Sequence, residues 1–356
     1  MPLDDTLRSL LVAQGPSGYE AAPSAAWRAA AEGFADSVSV DTMGNLTARV
    51  PARAGGEDAR TLAIVGHIDE IGLIVTHIDD KGRLFFIGVG GWDPQVLVSQ
   101  RVDVTTREGA VPGVIGRKAI HLFEEDDRKK VADLKELYID IGARDGDEAK
   151  ALVRVGDVAV IAGEPLELPN ERVVSRALDN RLGAYIALET ARLVAEAGGA
   201  AWDVVAAAAV QEEVGLNGAR ALAHGLRPDV AIVVDVTHET ESLGVDPRRI
   251  NAHAFGSGPV IERGTILNPK VSELLIETAE TQDIPYTLMA SARATGTDAD
   301  VIHFSRDGVV TGGIALALRY MHSPVEMVQL DDVANCAKLL AAFAQRLESD
   351  TQFSRA

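Results

Sequence analysis

The sequence predicts an α/β protein, a central sheet covered by helices on both faces, with a small β-rich module inserted into it. Three observations carry that expectation. Runs such as TLAIVGH (61–67), VVAAAAV (204–210) and VAIVVDV (230–236) are apolar at nearly every position, as in strands buried on both faces. Segments with apolar residues at helical spacing separate these runs, which is the alternation of a helix-covered sheet. From about residue 73 to 163 that pattern gives way to short alternating segments broken by turn residues.

Taken in order, DDTLRSLLVAQ (4–14) and SAAWRAAAEGFAD (24–36) read as helices, and VSVDTMGNLTARV (38–50) with TLAIVGHID (61–69) as strands. The inserted part is marked by IDDKGRLFFIG, VTTREGAVPGVIG and VGDVAVIAG. Within it EEDDRKKVADLKEL (124–137) reads as a charged, solvated helix. From 164 onward helix and buried strand alternate again, through ALDNRLGAYIALETARLVAEAGG, WDVVAAAAVQ, GARALAHGL, VAIVVDV and NPKVSELLIETAETQD, to a long C-terminal helix. The expected organisation is a discontinuous domain, 1–72 with 164–356, interrupted by the module 73–163. A chain of 356 residues is long enough for about two domains.

Composition excludes several function classes. With 34 basic against 53 acidic residues the net charge is −19, and nucleic acid or an anionic membrane would require a cationic face. Asp4 and Asp5 stand where a secretion signal needs basic residues, and no apolar run approaches the ~18 residues of a membrane span. The single cysteine, Cys336, lies on the apolar face of a helical pattern, so no intrachain disulfide forms and a cytoplasmic setting is expected.

Five segments end an apolar strand or enter a loop with a metal-competent side chain: AIVGHIDEIG, SRALDNRLG, AVQEEVGLNG, IVVDVTHE and RYMHSPVE. In open α/β sheets ligands collect at the carboxyl ends of strands, so these ends can meet in one crevice. His67, Asp179, Glu213, Asp235 and His322 together offer two imidazoles and three carboxylates, a mixture suited to Zn²⁺, Co²⁺ or Mn²⁺. Five ligands exceed one tetrahedral site and fit two metals if one carboxylate bridges them. Glu212 is then free to act as a base, and Asp69 to orient the His67 ring. Both Glu212 and Glu213 reach one site only where the strand ends and the backbone turns, which Gly215 permits. Each residue also has a plainer reading: Asp179 as a helix N-cap, Asp235 as a turn residue, His322 as the residue before a break in the chain. The remaining histidines, His77, His121, His224, His238, His253 and His303, read as structural or exposed. GVGG (88–91) reads as a loop rather than a phosphate cradle, and GTDAD (296–300) as a turn whose Gly296 and Thr297 could present backbone donors to a ligand. There is neither a GxSxG elbow nor a nucleotide P-loop.

The segments GHIDEIGLIV, RALDNRLGAYIALE, VQEEVGLNGAR, VVDVTHE, GTDAD and LRYMHSPVEMV, in this order and spacing over nearly the whole chain, resemble the tetrahedral aminopeptidases. That family of dinuclear-metal peptidases includes glutamyl and deblocking aminopeptidases and sequences labelled as endoglucanases. The resemblance implies a dinuclear-metal exopeptidase fold with a mixed central sheet and a β-barrel-like insert that serves dimerisation. It implies that His67 and Asp235 hold one metal, Glu213 and His322 the other, and that Asp179 bridges both. Glu212 is then the general base and Asp69 the partner of His67, and the Asp179–Asn180 peptide is cis. It further implies a homo-oligomer, with dimers assembling into a tetrahedral dodecamer. Asp300 stands where relatives often carry a small or amide residue, which leaves the preferred N-terminal residue open.

The expected function is release of N-terminal residues from short peptides, with two divalent metals, Zn²⁺ or Co²⁺ with Mn²⁺ as an alternative, activating a bridging water. The rival readings are a deacylase or carboxypeptidase on the same scaffold, a glycosidase using Glu212 and Glu213, and a non-catalytic metal-stabilised shell protein.

Overall fold

In the computed structural model, which describes residues 2–56, 59–125 and 129–354, the core is an eight-stranded mixed sheet. Across the sheet its strands run in the order 37–40, 46–50, 203–209, 61–67, 230–238, 310–318, 260–264 and 287–291. The four central strands are parallel neighbours, which places the carboxyl ends of Thr61–His67, Asp203–Ala209, Val230–His238 and Val310–Leu318 along one edge. One face packs against the helices Leu178–Glu196, Pro269–Thr281 and Leu330–Arg346; the other is covered by Asn217–Leu226 and Ala299–Ile302. This double cover accounts for the unbroken apolar character of the central strands, such as Thr61–His67, buried at every position.

The insert is a closed six-stranded antiparallel barrel built from Gly72–Ile78, Arg83–Val89, Tyr138–Asp140, Gly109–Gly116, Arg101–Thr106 and Val158–Ile161. It has its own core around Leu73, Val75, Leu84, Val102, Val104 and Ile139. The charged helix expected over 124–137 is not formed in the described part of that segment. There the only helical element to which bounds can be given is a 3₁₀ turn at Leu134–Glu136, and residues 126–128 lie outside the described residues. Its apolar residues, Val131, Ala132, Leu134 and Leu137, all fall in the last seven positions, too short a stretch to give a helix of that length a buried stripe. Among the described residues no helix is long and apolar enough to cross a membrane.

Two features bring the future site together. Glu70, just past the Thr61–His67 strand, is buried and bridges the buried guanidiniums of Arg176 and Arg181 while accepting the Gly15 amide at 3.1 Å. Arg181 in turn donates to the Ile68 and Leu10 carbonyls at 3.2 and 2.6 Å, tying the N-terminal helix Asp5–Val12 to the strand end. The long helix Leu178–Glu196 lies directly on the sheet because Gly66 faces Gly183: a methyl group on Gly66 would overlap the Gly183 and Ala184 backbone. That close approach sets Asp179, at the helix start, beside His67, at the strand end.

Gly66→Ala should therefore force strand and helix apart. Overpacking of this kind costs about 1–3 kcal/mol, and here the clash is with backbone, which cannot rotate away. The denaturant midpoint should fall measurably; an unchanged midpoint would contradict this account of the strand–helix contact.

Candidate metal centre

All five residues singled out as candidate ligands lie at one edge of the sheet. His67 ends its strand, Asp235 lies near the end of Val230–His238, Glu213 follows Asp203–Ala209, His322 follows Val310–Leu318, and Asp179 begins the long helix. Ligand-capable atoms of His67, Asp179 and Asp235 lie within 4.8 Å of one another, as do those of Asp179, Glu213 and His322. Asp179 is common to both groups, and its two oxygens divide between them. Oδ1 is 3.3 Å from His67 Nε2, and Oδ2 is 3.4 Å from His322 Nε2. His322 Nε2 is also 3.3 Å from Glu213 Oε1. A third group joins His67, Glu212 and Glu213, with Glu212 Oε2 at 3.8 Å from His67 Nε2.

The plainer readings of these residues do not hold. Asp179 makes no capping bond and leaves helical geometry; its neighbour Asn180 caps instead, accepting the Gly183 amide at 2.9 Å and donating to the Val234 carbonyl at 2.8 Å. The Asp179–Asn180 peptide is cis. Asp235 is buried within its strand rather than in a turn. His322 has a left-handed backbone, φ 58°, which turns its ring back toward the sheet edge before Ser323 and Pro324 carry the chain away.

How two adjacent acids reach one site is decided by Asp69. Its carboxylate is wholly buried; Oδ1 accepts the Glu212 amide at 3.0 Å and Oδ2 the Glu213 amide at 3.2 Å. The chain reverses at Gln211, which adopts φ 55°, ahead of the glycine expected to make the turn, Gly215. Ser17 Oγ donates to Asp69 Oδ2 at 2.5 Å, and His67 Nδ1 lies 3.4 Å from Oδ1 and 3.3 Å from the Asp69 carbonyl. These contacts leave His67 Nε2 facing the cluster.

Three supporting residues were not found by reading the sequence. Glu326 accepts the Asp179 amide at 3.0 Å and the His322 amide at 2.9 Å, so one buried carboxylate positions two candidate ligands. The only trace of it in the sequence is its place at the end of MHSPVE. Gly91, in the GVGG loop of the barrel, accepts from His322 Nδ1 at 2.9 Å, so that loop orients a ring. Asp298 is buried with neither oxygen hydrogen-bonded among the described residues, and burial pushes it up to about 7. In the GTDAD loop the Thr295 and Gly296 amides are engaged by Asp300, at 2.7 and 3.0 Å, and Thr297 Oγ1 accepts the Ala299 amide. The Gly296 donor is thus engaged within the loop. The other histidines join none of the ligand groups found among the described residues; His253, for example, is buried between Thr287 Oγ1 and the Ile250 carbonyl.

The electrostatics fit a site built for cations. Burial pushes Glu212 up to about 8, opposed by His67 and reinforced by Asp298, Glu213 and Asp69. Burial likewise raises Glu213 and, more strongly, Asp235. Hydrogen bonds to Asp179 and Glu213 raise His322 to about 11, and His67 is held well above its usual value by Glu212, Asp179 and Asp69 although burial alone would depress it. So many carboxylates share this space that only protons or metal ions can compensate them. Two imidazoles with several carboxylates, one of them shared, match two borderline divalent cations.

A family profile described as M42 glutamyl aminopeptidase matches residues 44–339. A putative aminopeptidase of Acetivibrio thermocellus is 37% identical over 308 residues, covering 86% of this chain and 87% of that protein. Among solved structures, a TET aminopeptidase from a marine-sediment archaeon of the Thaumarchaeota superposes with a TM-score of 0.91 at 35% identity, covering 97% of each chain. The Pyrococcus horikoshii TET1 peptidase, described as able to assemble into a tetrahedron or a large octahedral shell, superposes with a TM-score of 0.84 at 32% identity, covering 96% of this chain and 99% of that one.

Because raised pKa values mean bound protons, a metal entering this cluster must displace them. Protons on His322 and Glu212 compete most strongly at low pH and are lost as pH rises toward their values of about 11 and about 8. Apparent affinity for Zn²⁺ or Co²⁺ should therefore increase between about pH 6 and about pH 8, with net proton release seen by calorimetry in two buffers of different ionisation enthalpy. Binding that is independent of pH and of buffer would contradict this picture.

Proposed function

Since this chain belongs to the M42 family of metal-dependent aminopeptidases, we propose that it removes N-terminal residues from short peptides at a site for two divalent cations. The observation that carries this reading is the division of Asp179, one oxygen toward His67 and the other toward His322. His67 and Asp235 would hold one cation and Glu213 and His322 the other, with Asp179 offering an oxygen toward each group; the donor set suits Zn²⁺ or Co²⁺, with Mn²⁺ an alternative. When bound, such cations would supply Lewis acidity to the scissile carbonyl and would lower the pKa of a water there toward neutrality.

Glu212 has the place of a general base: beside the ligands, mostly buried, and fixed at its backbone by Asp69. Its carboxylate accepts the proton of the attacking water and delivers it to the leaving nitrogen as the C–N bond breaks. Asp69 orients His67 and holds the backbone of both glutamates. The glycosidase reading is weakened by the same geometry, since Glu212 and Glu213 both gather at His67 rather than flanking a sugar-sized gap.

The barrel, residues 73–163, is the dimerisation domain in this reading, and the homo-oligomer is a tetrahedral dodecamer. Exposed apolar side chains on the insert support an interface there, among them Ile87 at 56%, Ile120 at 54% and Leu122 at 66% exposure. The shells described for the Pyrococcus horikoshii TET1 peptidase point the same way. Native mass measurement reads the assembly directly.

Glu212→Gln should retain both metals and lose about 10²–10⁴-fold in kcat. Metal loss in that variant would make Glu212 a ligand instead, and a near-normal rate would remove it from the mechanism. Chelator should abolish hydrolysis of free-amine peptides and added Zn²⁺ or Co²⁺ restore it. Cleavage of N-acetylated but not free-amine peptides would replace the aminopeptidase reading by the deacylase one.

A further inference from the structure

A second acidic feature lies on the metal face of the sheet, two strands from Asp235. Asp235 pairs with Ala315 on the neighbouring strand, and Ala315 with Val260 on the next. Two residues along from Val260, Glu262 projects on that same face, because side chains alternate along a strand. Its Oε2 stands 3.0 Å from where a methyl group on Gly313 would lie, so the carboxylate reaches over the intervening strand. On this face that strand carries Thr311 and then only Gly313, Ala315 and Ala317 toward the metal edge. Met289, paired with Glu262 on the far side, extends back across them until Thr237 Oγ1 and its sulfur are 3.5 Å apart. Thr237 is two residues past Asp235 on the same face.

Glu262 is 3% exposed, and its carboxylate has no hydrogen bond or ion pair among the described residues. Among the described residues no cation answers it. Its charged neighbour is Asp300, which is bound to the Thr295 and Gly296 amides and to Thr295 Oγ1 at 2.8 Å. Burial, with Asp300 opposite, pushes Glu262 up to about 7. The carboxyl is nearly buried, finds no partner among the described residues and keeps a narrow contact with solvent, an arrangement open to a ligand of opposite charge. Two strand spacings of about 4.8 Å and an offset of two residues, about 7 Å, put the Glu262 backbone about 12 Å from that of Asp235, a span shared by a long substrate side chain and the glutamate itself.

We propose that Glu262, with Asp300 facing it, forms the base of the pocket for the side chain of the substrate's N-terminal residue, and that this pocket selects lysine or arginine. The inference rests on the aminopeptidase reading above and names its substrate class. The aliphatic stem of the substrate side chain lies along Met289, whose flexible thioether adapts to it, and the cationic head meets Glu262.

The test compares p-nitroanilides of Lys, Arg, Leu and Glu on the Co²⁺-loaded protein. The expected result is at least a tenfold higher kcat/KM for Lys and Arg than for Leu and Glu, with the Lys-to-Leu ratio falling at least tenfold in Glu262→Gln through KM. A second measurement needs no variant: L-lysine amide should inhibit the unaltered protein at least tenfold more tightly than L-norleucine amide, which has a similar stem and lacks the charge. Turnover without a preference for Lys or Arg, equal inhibition by the two amides, or an unchanged ratio in folded Glu262→Gln would overturn this inference and leave the aminopeptidase reading standing. Absence of turnover on every free-amine substrate would overturn that reading and this inference with it.

Discussion

The buried carboxylate of Asp69 is the constraint on which the rest of the site depends. It meets the Ser17 hydroxyl, the amides of Glu212 and Glu213, and the His67 ring. An extended strand would send adjacent side chains to opposite faces. By anchoring two successive amides just after the reversal at Gln211, Asp69 turns them toward one point and holds His67 with its second nitrogen facing that point. A buried carboxylate with several donors is well satisfied, so this arrangement is rigid before any metal arrives. Burial raises the Asp69 pKa and the contacts with His67 and Ser17 outweigh it, leaving a net lowering in keeping with an ionised anchor.

Around that anchor the fold concentrates negative charge far beyond what its own cations offset. Asp179, Glu212, Glu213, Asp235, Asp298 and Glu326 share the neighbourhood with two imidazoles. Asp179 is the exception among them: burial alone would raise it, yet its bonds to His322 and His67 hold it below the usual carboxylate range. The others are raised, which is the signature of a site whose missing counter-charge is a ligand. The same logic, applied to Glu262, distinguishes the pocket proposed for a cationic side chain from an ordinary patch of core.

The barrel and the sheet domain are not independent in this respect. His322 leaves the sheet with a left-handed backbone, and its ring is fixed from one side by Gly91 of the barrel and at its backbone by Glu326 of the small sheet 166–168, 172–175 and 326–329. The inserted domain thus orients one of the candidate ligands. Movement of the barrel relative to the sheet would be felt at His322 before it was felt at His67, whose supports lie within the sheet domain.

By itself the sequence determined the layered α/β architecture, the position of the β insert and the five candidate ligands with Glu212 beside them. Those are legible because burial on both faces erases polar alternation, and because metal chemistry restricts which side chains can end such strands. Only the tertiary structure decided the rest. EEDDRKKVADLKEL carries helix-forming residues yet, where described, shows no helix beyond a short 3₁₀ turn, since no apolar stripe was available to bury. Asp179 has the composition of an N-cap, but Gly66 against Gly183 brings it to His67 while Asn180 caps in its place. Glu326 meets Asp179, 147 positions away, and Gly91 meets His322, 231 positions away, and no local pattern records such contacts. Composition and period register what a residue does to its own segment; charge compensation at a distance depends on how the chain packs.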